Sequence, residues 1–510
     1  MNIGIGSYPQ RRATVRPEAI AIEFEGTAIT YAELSNRATR LANALLSLGV
    51  QHQDRVAYLG FNHPGLLEVF FSANLIGATP VLVNPRLSVA EIDYIISDCD
   101  ASVVFYGRDH IKSAEYLSKK HPDITMVAVE GEQGPGLRRK EIMNSARDAE
   151  VDIPVSDDDI ALLMYTSGTT GRPKGAMLTH RNLFFNYFNA LLAQEIEQGA
   201  ILLSVAPLFH IAGLNMTTIP VIMKGGKVII HREFKAEAVL EEVEKSQVST
   251  AFMVPAMLDM LSNDPSFGDR DLSSLHAVMV GGSPLSERAL RTWQDRDVKI
   301  VQGFGMTETA PGVSLLESVD SLSHVGTAGR AHFFTDIKIV DTQTGEEVPP
   351  GIPGEVLIRG PHVMAGYWNR PEDTATALKD GWYHSGDIAV MDENGYYTIK
   401  DRIKDMYISG GENIYPAEVE HALLDLDPIL DSAVIGVEDA RWGETGMAFV
   451  VLRDSFKSNP PTGLELREQL GSVLARYKLP REIHIVEELP RNAAGKIQKN
   501  ALRESIALTS

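Results

Sequence analysis

From residue 55 to about residue 300 the chain alternates short β-rich runs with helical patterns. No other feature limits the fold as strongly. The runs lie at 55–59, 80–83, 102–105, 160–164, 201–205, 227–230, 250–254 and 277–280. Strands separated by helix-length segments cannot close into hairpins, so they run parallel and take helices on their faces. The expected fold class is therefore α/β, with a large N-terminal domain built on parallel-rich sheets. Ahead of this region, 21–31 reads as a hairpin turning at Gly26. Thr30 with Glu33, and Ser88 with Glu91, are capping-box pairs that predict helix starts. Near residue 325 the pattern changes. The runs 335–340, 354–359, 387–391 and 396–400 are separated by turns such as Asn394-Gly395, which predicts an antiparallel, barrel-like subdomain over about 325–400. After Asp401 a small α+β tail follows, with helices at 417–424 and 464–474 and strands at 432–437, 448–452 and 482–486. The expected division is 1–401 and 402–510.

Composition enters mainly by exclusion. A formal net charge of −21 over 510 residues disfavours nucleic acid or an anionic membrane as the main partner, since both require a basic face. The single cysteine, Cys99, permits neither an internal disulfide nor a cysteine-rich metal site. The start of the chain lacks a basic region followed by an apolar one. The longest apolar stretch, 66–83, carries Glu68, Asn74, Gly77 and Pro80, and reads as a buried helix and strand. A soluble cytoplasmic enzyme without integral membrane contact is expected, and a homodimer is compatible with the sequence.

Two stretches carry the chemistry most openly. Tyr165-Thr166-Ser167-Gly168-Thr169-Thr170-Gly171-Arg172-Pro173-Lys174-Gly175 follows an apolar run. Its glycines allow a tight turn and close approach, while its hydroxyls, N–H groups and lysine suit an array of phosphate oxygens. It is not a Walker A loop, because Arg172 and Pro173 separate Gly171 from Lys174. The second is Gln302-Gly303-Phe304-Gly305-Met306-Thr307-Glu308-Thr309. An aromatic beside glycines can stack on a flat base, and a glutamate facing phosphates can hold magnesium through oxygen.

Together these stretches resemble the signature motifs of the adenylate-forming superfamily: acyl-CoA synthetases, amino-acid-adenylating domains and luciferases. The match is closest to acyl- and aryl-CoA ligases of the fatty-acid and 4-coumarate type. The resemblance implies ATP or AMP binding by residues 166–171, Lys174, Gly282-Ser283-Pro284, Gly303 to Thr307, Asp387, Arg402 and Lys496. It implies that Phe304 packs on adenine and that Asp387 and Arg402 meet the ribose. Thr169 and Glu308 would hold Mg2+. In the same way, Lys404 becomes a hinge pivot, and Ser409, Gly410, Gly411 and Glu412 line the passage for coenzyme A. Lys496, in Pro490-Arg491-Asn492-Ala493-Ala494-Gly495-Lys496, becomes the adenylation lysine, with Lys174, Glu308 and His210 as further catalytic groups. Ser385 stands where the family usually has threonine, and keeps the hydroxyl.

The stretch 207–214, Pro-Leu-Phe-His-Ile-Ala-Gly-Leu, resembles the family's acyl-pocket wall and contains no acid, which disfavours amino-acid substrates. Phe209, His210, Met216, Met306 and Val313 are the expected pocket lining. The implied reaction is ATP-dependent activation of an apolar carboxylic acid, aliphatic or arylpropenoic, as acyl adenylate, followed by transfer to coenzyme A. Loading of a phosphopantetheine carrier protein and a luciferase-like oxygenation share every motif and stay open as alternatives.

Overall fold

The computed structural model describes residues 4–131, 133–166, 172–194, 196–283, 285–403, 405–409, 412–439, 442–491 and 496–507. The described residues form four sheets. The first has nine strands. Six of them are parallel, in the order Lys299–Gly305, Ala277–Gly281, Thr250–Met253, Ile201–Ser204, Lys227–Ile230 and Ile20–Phe24. Antiparallel strands Gly312–Leu316 and Thr27–Thr30 flank these six. The second has eight strands. Ile160–Thr166, Thr79–Val83, Arg55–Leu59, Ala101–Tyr106, Thr125–Ala128 and Leu137–Arg138 run parallel, and Lys174–Thr179 returns antiparallel to Ile160–Thr166. The short runs Thr125–Ala128 and Leu137–Arg138 were not among the expected strands.

Both predicted capping boxes are present, opening the helices Tyr31–Ser47 and Val89–Asp98. The hairpin 20–30 turns through Glu25 and Gly26, both at positive φ. The helix Pro64–Leu75 packs against Tyr31–Ser47 and is buried around its whole circumference. Such a helix needs its polar groups paired. Glu68, fully buried, is held by Arg37 at 3.3 Å and by Arg139. Among the described residues no helix is long and apolar enough to cross a membrane.

The third sheet is antiparallel: Asp336–Val340, Gly354–Arg359, Trp382–Met391 and Leu378–Lys379, with Tyr397–Arg402 on the other side of Trp382–Met391. It is narrower than the span 325–400. Arg330–Ala331 and Gly366–Tyr367 leave it to pair as edge strands of the two large sheets. That stitching covers exposed edges and fixes the third sheet against both layers. The tail forms the fourth sheet around the long pair Ile429–Asp439 and Gly443–Leu452. Glu482–Val486 lies parallel to the latter, and the helices Pro416–Leu424 and Gly463–Leu470 pack on a core of their own. A large N-terminal domain of parallel-rich sheets thus precedes a smaller C-terminal one.

Candidate active site

In open parallel sheets ligands bind beyond the carboxyl ends of the strands. Here the carboxyl ends of two strands from different sheets meet. Ile160–Thr166 ends in the phosphate-type loop, of which Ser167, Gly168, Thr169, Thr170 and Gly171 lie outside the described residues. Lys299–Gly305 ends at Met306, and a single turn Thr307–Thr309 follows. Gly303, Phe304 and Gly305 are thus strand residues. Glycine is forced here: a Cβ at Gly305 would overlap the Pro311 carbonyl oxygen.

Glu308 joins the two ends. Its side chain is buried. Its Oε1 accepts from the Tyr367 hydroxyl at 2.9 Å and from Thr166 Oγ1 at 3.4 Å, and its carbonyl accepts from Met364 N at 2.8 Å. Burial and the Glu308 charge push the Tyr367 hydroxyl up, so it remains a donor. Oε2 takes no hydrogen bond from the described residues, which leaves one hard oxygen for a cation. Among them no cluster of three His, Cys, Asp or Glu side chains could hold a metal alone. A single carboxylate oxygen suits magnesium, which keeps few protein carboxylates and is carried largely on substrate phosphates. Lys174 lies on the same rim. Its Nζ is 2.5 Å from Asp373 Oδ1 and 5.5 Å from the centre of the Tyr367 ring.

Asp387 stands on the third sheet, opposite Arg402 in register. Its Oδ1 pairs with Arg402 Nε at 2.8 Å, and its backbone N–H donates to Ser385 Oγ at 3.0 Å. Oδ2 is buried with no hydrogen-bond partner among the described residues. Burial pushes the carboxyl up, against the opposing charges of Arg402 and Lys496. A buried carboxylate oxygen without a donor is costly unless a ligand supplies one, and a sugar hydroxyl is such a donor.

His210 lies within the field of the same ammonium, Lys496. Its Nε2 is buried without a partner among the described residues, and its ring packs on Phe209 at 4.6 Å between centroids. Burial, then the charges of Lys496 and Arg86, pull it down to about 4. The imidazole is therefore neutral near pH 7. One ammonium, Lys496, acts on both His210 and Asp387, although Lys496 belongs to the last residues of the tail. The arm that carries it is closed by the bridge between Arg491 and Ile497.

The strands Ala277–Gly281 and Lys299–Gly305 pair Gly281 with Gly303, leaving a flat backbone shelf. Gly282, at φ +90°, turns the chain away from it, and Ser283 follows; Pro284 lies outside the described residues. Phe304, half-buried, stands beside the shelf, and Met306 and Thr307 continue the rim. Of the expected acyl-pocket residues, Phe209, Val313 and Met306 pack into one core. Met216 packs into a neighbouring one with Phe252 and Met279. Lys404, Gly410 and Gly411 lie outside the described residues, and Ser409 pairs in register with Glu412. The sequence reading missed Tyr367 and Asp373. No local pattern marks them, because each acts through a partner far away in the chain.

The profile described as AMP-binding enzyme matches residues 9–368, and that described as AMP-binding enzyme C-terminal domain matches 418–496. The chain belongs to the AMP-binding enzyme family. It is 45% identical over 502 residues to a feruloyl-CoA synthase of an Amycolatopsis species, covering 98% of this chain and 99% of the relative. It is 37% identical to indoleacetate–CoA ligase of Aromatoleum aromaticum, over 99% of this chain and 98% of that one. ATP-bound MatB from Rhodopseudomonas palustris matches at 30% identity with a TM-score of 0.91, over 99% of both chains. The chain is an AMP-forming acyl-CoA synthetase that takes a small-molecule acid, ATP with magnesium, and coenzyme A.

Proposed function

We propose that the acid is an arylpropenoic acid of the ferulate type. The feruloyl-CoA synthase and the indoleacetate–CoA ligase it resembles are named for aryl acids, and the 207–214 wall is apolar with no acidic group to meet an amino acid's ammonium. One observation carries the division of labour: the charge of Lys496 falls on His210, beside the expected acid pocket, and on Asp387, the expected ribose carboxylate. A group that faces both can hold the acid's carboxylate and the α-phosphate together.

The chemistry follows from charge. A carboxylate is a poor electrophile because its leaving group is oxide, and joining it to AMP supplies a good one. Two anions must approach, so the catalysis consists largely of positioning and electrostatic stabilisation. Lys496 neutralises the developing charge, and the loop from Thr166 through Gly171 with Lys174 holds the phosphates. Magnesium on Glu308 and Thr169 would add positive charge at the leaving group. Gly282, Ser283, Pro284 and Phe304 bound the adenine, and Asp387 and Arg402 fix the ribose. Neutral His210 lies beside the carboxylate without adding charge. The small domain begins at residue 402 and pivots at Lys404, bringing Ser409 to Glu412 to the thiol for the second step. A cytoplasmic setting suits the substrates, and the buried free thiol of Cys99 suits a reducing compartment.

The test is a panel of ferulate, cinnamate, decanoate and phenylalanine, scored for AMP and thioester. The aryl acids should lead, and phenylalanine should trail by orders of magnitude because its ammonium would be buried unpaired. Faster thioester formation from decanoate than from either aryl acid would overturn the reading.

A further inference from the structure

Beside Val313, an expected acyl-pocket residue, lies a group of buried polar side chains that the adenylation chemistry does not use. Its centre is His332, 4% exposed, with both ring nitrogens unpartnered among the described residues. Its backbone N–H donates to Val313 O at 3.0 Å, which ties it to the strand that carries the pocket residue Val313. Gly312 precedes Val313 and pairs with Gly305, directly behind Met306. A Cβ at Gly312 would lie 2.9 Å from His332 Nε2 and 3.3 Å from Asn186 Oδ1. Only glycine lets this backbone come so close to the imidazole.

The surroundings are unusually polar for a core. Asn186 Oδ1 accepts from Gly312 N at 3.0 Å, and Asn186 Nδ2 donates to Asn215 O at 3.0 Å. Asn215, fully buried, accepts from the Tyr187 hydroxyl on Oδ1 at 3.1 Å, while its Nδ2 has no partner among the described residues. Asn215 is the residue next to Met216. Deeper still, His362 Nε2 lies 3.4 Å from Thr335 Oγ1. Burial, then the neighbouring His362, pulls His332 down to about 3, so its ring is neutral and offers one donor and one acceptor. Unpaired polar atoms this deep are the exception in folded proteins and call for an occupant.

We propose that His332, reached past Gly312, reads the ring hydroxyl of a hydroxyarylpropenoic acid and so sets specificity for hydroxylated over unsubstituted acids. The inference rests on the aryl-acid reading above. A phenol both donates and accepts, which matches a neutral imidazole and leaves Asn215 Nδ2 as a donor for an adjacent oxygen substituent. A site built around a substrate hydroxyl discriminates against the acid that lacks it, because its own polar atoms are then left unpaired.

The experiment compares kcat/KM for 4-hydroxycinnamate and cinnamate in the wild type, His332→Leu, His332→Gln and Gly312→Ala, with thermal unfolding of each variant. The wild type should favour the hydroxylated acid by about tenfold or more. In His332→Leu that ratio should fall to near one, mainly through KM of the hydroxylated acid. His332→Gln should recover part of it, because the amide donates and accepts. Gly312→Ala should lower the ratio by covering Nε2, and it carries the test if His332→Leu does not fold. A ratio unchanged in folded His332→Leu, or equal losses on both acids, would overturn the proposal. A wild type that turns over fatty acids and neither aryl acid refutes the aryl reading itself. A wild type that uses both aryl acids equally refutes only the role of His332.

Discussion

Asp387→Ala tests the nucleotide site where the geometry is most specific. Asp387 Oδ1 is occupied by Arg402 Nε at 2.8 Å, while Oδ2 is buried and unpartnered among the described residues. If a ribose hydroxyl donates to this carboxylate, the bond is charge-assisted and should contribute about 1.5–3 kcal/mol. At 1.4 kcal/mol per factor of ten, that is roughly 10- to 150-fold in kcat/KM for ATP. The truncation also strips Arg402 of its partner, so the raw loss alone is ambiguous. A cycle with 2′-deoxy- and 3′-deoxy-ATP separates the two effects, because the deoxynucleotide removes the same bond from the other side. In the wild type one deoxynucleotide should lose about 10- to 150-fold. In Asp387→Ala the same change should cost almost nothing further. The assay is acid-dependent exchange of labelled pyrophosphate into ATP, which reads the first half-reaction alone. Equal deoxy penalties in the wild type and the variant would refute the ribose assignment and leave Asp387 as a structural partner of Arg402.

Lys496→Ala should lower adenylation by about 10²-fold or more while sparing thioester formation from supplied acyl adenylate; equal loss in both half-reactions, measured in single turnover, would argue against a first-step role. Glu308→Gln should raise the magnesium concentration for half-maximal adenylation by about tenfold or more, and an unchanged magnesium titration would remove Glu308 from the metal site. Acid stability should report the buried histidines His180, His210 and His362, pulled down to about 4, and His332, pulled down to about 3, in each case first by burial. Below their ordinary value of 6.5 the unfolded chain binds more protons than the folded one. Stability is therefore full above pH 6.5 and falls as the pH drops towards 4, by up to about 1.4 kcal/mol per unit for each ring. Unfolding followed by circular dichroism should thus begin near pH 5, and stability that stays flat from pH 7 to pH 5 would contradict the neutral buried rings.

What the sequence disclosed, and what it withheld, divides by the range of the interaction. Capping boxes need only residues i and i+3, and Thr30–Glu33 and Ser88–Glu91 both form as expected. The alternation of strand and helix is also local and places the two large sheets. The motifs locate Glu308, Asp387 and Lys496, but they do not show what orients them. Tyr367 reaches Glu308 across 59 positions and Asp373 reaches Lys174 across 199. Neither pair leaves a periodic trace. Glycine carries little local information, because a missing side chain weakens every local preference. The pattern therefore does not mark Gly303 and Gly305 as strand, although the sheet on one side and the Pro311 carbonyl on the other hold them extended. The same logic explains the span 325–400. Two-residue strands such as Arg330–Ala331 and Gly366–Tyr367 are too short to show a period, so only the pairing partners reveal that they belong to the large sheets. Those short strands also matter to the site. Gly366–Tyr367, paired to Lys174–Thr179, sets the Tyr367 hydroxyl on Glu308, and Trp368 N–H donates to the Gly175 carbonyl at 2.7 Å. Gly366–Tyr367, a short piece within the span read as a barrel-like subdomain, is thus the strap that fixes the phosphate-side strand against the cation-side glutamate.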